Sequence, residues 1–141
     1  MGINFWPQSK RFLSPEAATS LLNKSRGRIT RVGVFVNAEQ SIPLQLLHDD
    51  LIDIAQFHGD ESPQYCSTYA DAGLPFIKAI GVSNKDSLAN ITDYQASAIL
   101  LDTPAPGLYG GTGEVFDWTH AQDFIQQHSD IPVLLAGGIT P

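Results

Sequence analysis

The 141-residue chain carries 43% hydrophobic and 16% charged residues, a balance that suits one folded domain with its own core and excludes a disordered chain. Its net charge of −7 argues against a nucleic-acid or anionic-membrane surface. It leaves room for a phosphorylated small molecule, because backbone amides and one or two local cations can hold a phosphate.

No apolar run has the length of a membrane-crossing helix, and no signal-peptide pattern opens the chain. The one cysteine, Cys66, excludes an internal disulfide and fits a reducing cytoplasm. His48, His58, His120, His128 and Cys66 fall at no metal-ligand spacing, so no metal is expected.

In chain order, Met1 to Trp6 reads as a strand with no lead-in. Ser14 caps a helix that has Pro15 at its first position and Glu16 at its second, with Ala17, Ala18, Leu21 and Leu22 as its apolar stripe. Arg31 to Asn37 is a β-branched, nearly continuous apolar run, as in parallel strands covered on both faces. Ile42 to Asp50 is helical in pattern, and Ile52 to His58 is the next strand. Ser62 caps a helix with Pro63 at its first position, running to about Ala72.

Pro75 to Val82 is a further strand, and Asp86 to Tyr94 a weaker helix. Ala98 to Asp102 is a short apolar strand, Phe116-Asp-Trp leads into a helix to about His128, and Ile131 to Ala136 is the last strand. Strand, short turn and helix in repetition mean βα units, hence a parallel sheet with helices outside it. Six strands fit either a doubly wound open sheet or part of a (β/α)8 barrel.

The stretch from Ala98 to Trp118 carries the strongest hint of chemistry. An apolar strand ends on one carboxylate, Asp102, and gives way to a loop with Gly107, Gly110, Gly111 and Gly113. A buried strand that delivers an acid to its C-terminal end before a mobile loop is an active-site arrangement in α/β barrels. A lone Asp before a turn is more often a solvated strand end, so its context decides. Gln56 and His58 sit two apart on one strand and point the same way, and a buried strand rarely carries two polar side chains without a use for them. Lys78 is an ammonium inside an apolar strand, which needs a partner or a wet lumen; it is read as an inward residue close to the site.

Taken together, Pro7-Gln-Ser-Lys-Arg-Phe-Leu-Ser-Pro15, Arg31 to Asn37, Ala-Gln-Phe-His-Gly-Asp-Glu61, Ile-Lys-Ala-Ile-Gly81, Leu-Leu-Asp-Thr103 with Gly-Gly-Thr-Gly113 and Phe-Asp-Trp118, and Leu-Leu-Ala-Gly-Gly-Ile-Thr-Pro141 resemble phosphoribosylanthranilate isomerase, the (β/α)8 enzyme of tryptophan biosynthesis. These motifs stand in the family's order and span essentially the whole chain.

The resemblance implies a partial barrel over 1–141, holding the second to seventh strands of the family. It implies an Amadori rearrangement with no cofactor, on a phosphorylated small molecule, in the cytoplasm. The family's first strand ends in a Lys-Ile-Cys-Gly motif whose cysteine is the general base, and its eighth strand adds to the phosphate site. Neither pattern occurs in these 141 residues, so the chain is expected to be a fragment, inactive alone and prone to self-association through open barrel edges.

By the same resemblance Asp102 is the general acid, with partial desolvation after its apolar strand favouring the protonated form. Arg11 faces the anthranilate carboxylate, Gln56 and His58 make polar substrate contacts, and Gly137 and Gly138 lie against the phosphate. Cys66 falls on a predicted helix outside the barrel and is a packing residue, not the base. A non-catalytic sugar-phosphate-binding module, or another phosphate-binding barrel isomerase or epimerase, stays open as an alternative.

Overall fold

The computed structural model of the protein describes residues 1–82, 85–102 and 119–136, with the backbone alone at 85, 86 and 119–121. Six strands form one sheet: β1 (Gly2–Asn4), β2 (Val32–Phe35), β3 (Ile54–Phe57), β4 (Phe76–Gly81), β5 (Ala98–Asp102) and β6 (Val133–Leu135). The helices α1 (Pro15–Ser25), α2 (Ser41–His48), α3 (Pro63–Asp71) and α4 (Thr119–Gln127) lie between them in sequence. Every pairing is parallel and the strand order is β1-β2-β3-β4-β5-β6. A doubly wound sheet reverses its strand order at a switch point, whereas a barrel segment adds each strand beside the last. The sequential order is that of a barrel segment.

Register assigns the two faces, because paired residues of parallel strands point the same way. One face carries Asn4, Val34, Gln56 and Ile77 in a single row, and Leu100 and Asp102 on β5. The other carries Phe35, Phe57, Phe76, Ile99 and Leu101, all at most 1% exposed. This second face meets the helices. Phe57 lies at its centre, with its ring 4.7 Å from Tyr69, 5.7 Å from Phe76 and 6.3 Å from Phe35. A second cluster joins Val82, Leu88, Ile91, Ile99, Leu101 and Phe124.

Local sequence starts two helices as expected. The Ser14 hydroxyl accepts from the Ala17 amide and the Ser62 hydroxyl from the Tyr65 amide, with Pro15 and Pro63 opening α1 and α3. The buried stripe of α1 is narrower than its sequence suggests: Ala18 and Leu22 are fully buried, while Leu21 is 46% exposed. The helix expected over Asp86 to Tyr94 is instead two four-residue 3-10 turns, Lys85–Leu88 and Ile91–Tyr94. Leu88 and Ile91 fill the core from those turns, and Gln95 leaves the second in the left-handed conformation that ends it.

Candidate functional site

Gln56 is the third residue of β3 and points to the concave face. His58 follows the end of that strand, its amide donating to the Phe35 carbonyl at 2.8 Å, so the β-ladder continues through its backbone. Asp102 is the last residue of β5 and is 8% exposed. The strand between them, β4, offers only Ala79 and Gly81 on this face near its C-terminal end, and Gly81 pairs with Asp102. Small residues there let an imidazole reach from β3 to β5. The His58 Nε2 lies 3.1 Å from the Asp102 Oδ2, and the Gln56 Nε2 lies 3.1 Å from the His58 Nδ1.

These contacts couple the tautomer of a neutral ring to its two neighbours. With the Gln56 amide nitrogen donating to Nδ1, the neutral imidazole carries its proton on Nε2 and donates it to Asp102. If Asp102 takes up a proton, it becomes the donor to Nε2, and the ring proton moves to Nδ1 facing a turned Gln56 amide, whose oxygen accepts. The array therefore accommodates both protonation states of Asp102 without moving a strand.

Other sequence expectations meet the structure differently. Arg11 is exposed on the loop after β1, at the open strand edge, in a shallow cleft shared with Asn4 and Val34. The cleft also takes in Ile3, Leu13 and the α1 residue Leu21, so it runs along the β1 edge, and Arg11 does not join the His58–Asp102 group. Lys78 is a correction: it does not point inward. It pairs with Phe57 and Ile99 on the helix-facing side, where its ammonium meets Glu61 Oε2 at 2.9 Å and the Gly59 carbonyl at 2.7 Å. The parity of its strand carried the signal, since Lys78 alternates in step with Phe76 and Ile80 rather than with Ile77 and Ala79.

Cys66 lies on α3, fully buried in the core cluster with Phe57 and Phe76 on the helix side of the sheet, and burial pushes its thiol up to about 11. Gly137, Gly138 and the glycine loop from Gly107 to Gly113 lie outside the described residues. Among the described residues no group of three or more His, Cys, Asp and Glu side chains is arranged to hold a metal ion, and no helix is long and apolar enough to cross a membrane. Glu61 and Asn37, to which the sequence alone assigns no role, both contact the loop that carries His58.

A family model described as N-(5'-phosphoribosyl)anthranilate (PRA) isomerase matches residues 1–141. A curated relative of that name from Hahella chejuensis is 40% identical over all of this chain, which covers 64% of the relative. A phosphoribosyl anthranilate isomerase crystal structure from Thermus thermophilus superposes with a TM-score of 0.79 at 31% identity, over 99% of this chain and 66% of that one. Another, described as in complex with reduced 1-(o-carboxyphenylamino)-1-deoxyribulose 5-phosphate, gives a TM-score of 0.73 at 33% identity, over 98% of this chain and 63% of that one. The chain thus spans just under two thirds of the length of these proteins. With a family model matched end to end and six parallel strands in barrel order, the chain belongs to the N-(5'-phosphoribosyl)anthranilate isomerase family.

Proposed function

We propose that these residues supply the second to seventh βα units of an isomerase that converts N-(5'-phosphoribosyl)anthranilate to 1-(2-carboxyphenylamino)-1-deoxyribulose 5-phosphate, in the cytoplasm. The observation that carries the reading is the His58–Asp102 contact of 3.1 Å at the C-terminal ends of parallel strands, where barrel enzymes hold their chemistry.

In this reading Asp102 gives a proton to the ribose ring oxygen as the C1–O bond breaks, leaving a C1=N iminium. A base then removes the C2 proton, and the resulting enolamine becomes the aminoketone, so the reaction is an internal redox shift with no external electron carrier. The base is not Cys66, which is buried on the opposite side of the sheet and is held as a thiol. It belongs to a Lys-Ile-Cys-Gly motif that these 141 residues do not contain. His58 orients Asp102 and shuttles its proton, Gln56 sets the ring tautomer, and Arg11 approaches the anthranilate carboxylate from the edge of β1. Gly137 and Gly138 offer backbone amides to the phosphate.

The test uses a complete barrel, made by joining these residues to the segments by which the Hahella chejuensis relative exceeds them. Asp102→Asn in that protein is expected to lose at least ~10²-fold in turnover of phosphoribosylanthranilate, because an amide cannot donate the proton. Near-normal turnover of the variant overturns the assignment. An unsubstituted barrel that binds the reduced product analogue without turnover would instead be a sugar-phosphate-binding module.

A further inference from the structure

Lys78 and Glu61 form a buried ion pair on the far side of the sheet from the site, with side chains 2% and 1% exposed. A pair so placed is weak evidence for stability, because desolvating both charges costs about as much as their attraction returns. Its contacts indicate another use. The Lys78 ammonium donates to the Gly59 carbonyl at 2.7 Å and to Glu61 Oε2 at 2.9 Å, with a longer contact of 3.4 Å to the Phe57 carbonyl. Glu61 in turn accepts from the Gly59 amide at 2.9 Å through Oε2 and from the Asn37 amide at 2.8 Å through Oε1.

His58 stands between the two residues so gripped, and its own amide is held by Phe35. Thus the Phe57 carbonyl, the His58 amide and both polar groups of Gly59 have fixed partners, two of them charged.

The same knot joins three consecutive loops and strands. Asn37, in the left-handed region at φ 49°, accepts from the Asp60 amide through Oδ1 at 2.7 Å. A Cβ on Gly59 would stand 2.5 Å from that oxygen and 2.8 Å from the Asn37 backbone nitrogen, so only glycine allows the approach. The Lys78 ammonium also lies 5.7 Å from the centre of the Tyr94 ring, which closes its outer side.

We infer that the Lys78–Glu61 pair is a positioning device for His58, fixing the peptide groups on both sides of it so that the imidazole stays between Asp102 and the Gln56 amide that sets its tautomer. Lys78 and Glu61 touch no reacting atom and act through the backbone. The catalytic meaning of the device rests on the reading of His58 and Asp102 above, but its test does not, because it reads the ring itself without turnover.

Four histidines make selective labelling simple. With ¹⁵N-histidine in the 141-residue chain, ring nitrogen shifts report the tautomer in solution and in the solid state alike, and His58→Asn identifies the His58 signals. The unsubstituted chain is expected to show His58 in one neutral tautomer, protonated at Nε2, with a slowly exchanging Nε2 proton. In Lys78→Met/Glu61→Gln, which leaves neither charge unpaired, the far-UV circular dichroism should be unchanged. The His58 signals should move to the averaged shifts of two interconverting tautomers, and the Nε2 proton signal should be lost. A folded double variant that keeps the single tautomer and the protected proton overturns the inference. So does a double variant that cannot fold, since the pair would then hold the fold rather than the histidine.

Discussion

Cys66 and Lys78 illustrate how far a residue type constrains its role before its face is known. Both are at most 2% exposed, and both lie on the helix side of the sheet. Desolvation raises the Cys66 thiol to about 11, with the nearby Lys78 charge opposing it and the Glu61 charge adding to it. We expect native protein at pH 8 to resist thiol-directed alkylation, reacting at least ~10-fold more slowly than the same protein in denaturant, since little thiolate exists and access requires opening. Equal rates in the two states would show that the core cluster does not cover the thiol.

At the scale of elements, one clamp ties the N-terminal ends of β2 and β3, opposite the candidate site. Arg31, 1% exposed, grips Asp53 with Nε at 3.0 Å and with its terminal nitrogen at 2.6 Å, and the Arg31 amide also donates to Asp53. The same guanidinium also donates to the Asp50 carboxylate and to the Asp50 carbonyl, each at 2.8 Å. The Arg31 hydrogen bond holds the Asp53 carboxyl below its ordinary value, although burial works the other way. A carboxylate depressed in the folded state stabilises above its unfolded value and loses that contribution as pH falls through the folded one. Stability should therefore decline below about pH 4, and less steeply in Asp53→Asn.

At neutral pH, Asp53→Asn should cost about 1–3 kcal/mol in urea unfolding, by leaving a buried guanidinium with one charged partner fewer. An unchanged unfolding midpoint would reduce the clamp to a surface pair. The clamp sits at the bottom of the barrel segment, so the candidate site should not register its loss.

For the whole molecule, the edges dominate. Among the described residues β1 and β6 each pair with one neighbouring strand, β1 with a single further bridge from Asn4 to Phe12, and Leu134 and Leu135 on β6 are each 45% exposed. A closed barrel removes such edges, whereas unpaired amides and carbonyls beside exposed leucines template pairing with another chain. Residues 1–141 as an isolated polypeptide should therefore form dimers or larger species, with scattering mass rising across a micromolar concentration series, and should show no isomerase turnover. A monodisperse monomer at every concentration would mean the edges are covered from within.

Much of this architecture was legible in the amino-acid order. Seryl caps before proline start α1 and α3 because the hydroxyl and the fixed φ act within one turn. Ala98–Asp102 was bounded to the residue because an apolar run ended by a carboxylate and a glycine-rich loop leaves a strand few other extents. Gln56 and His58 on a buried strand, and Asp102 at the end of an apolar one, stand out in the sequence as candidates for chemistry.

The sequence could not carry what depends on register between strands distant in the chain. Asp102 comes within 3.1 Å of His58, 44 residues away, only because β4 presents Ala79 and Gly81 between them. Lys78 turns away from the site because its pairing with Phe57 sets its face, and Glu61 becomes its partner only when the loop after β3 folds back over it. The two short turns in place of a helix at 85–94 were likewise decided by the core, which buries Leu88 and Ile91 at a spacing that tighter turns meet. Caps, periodicity and strand ends are local and act through neighbouring residues, whereas face, register and ion-pair partners form only when the sheet closes on its helices.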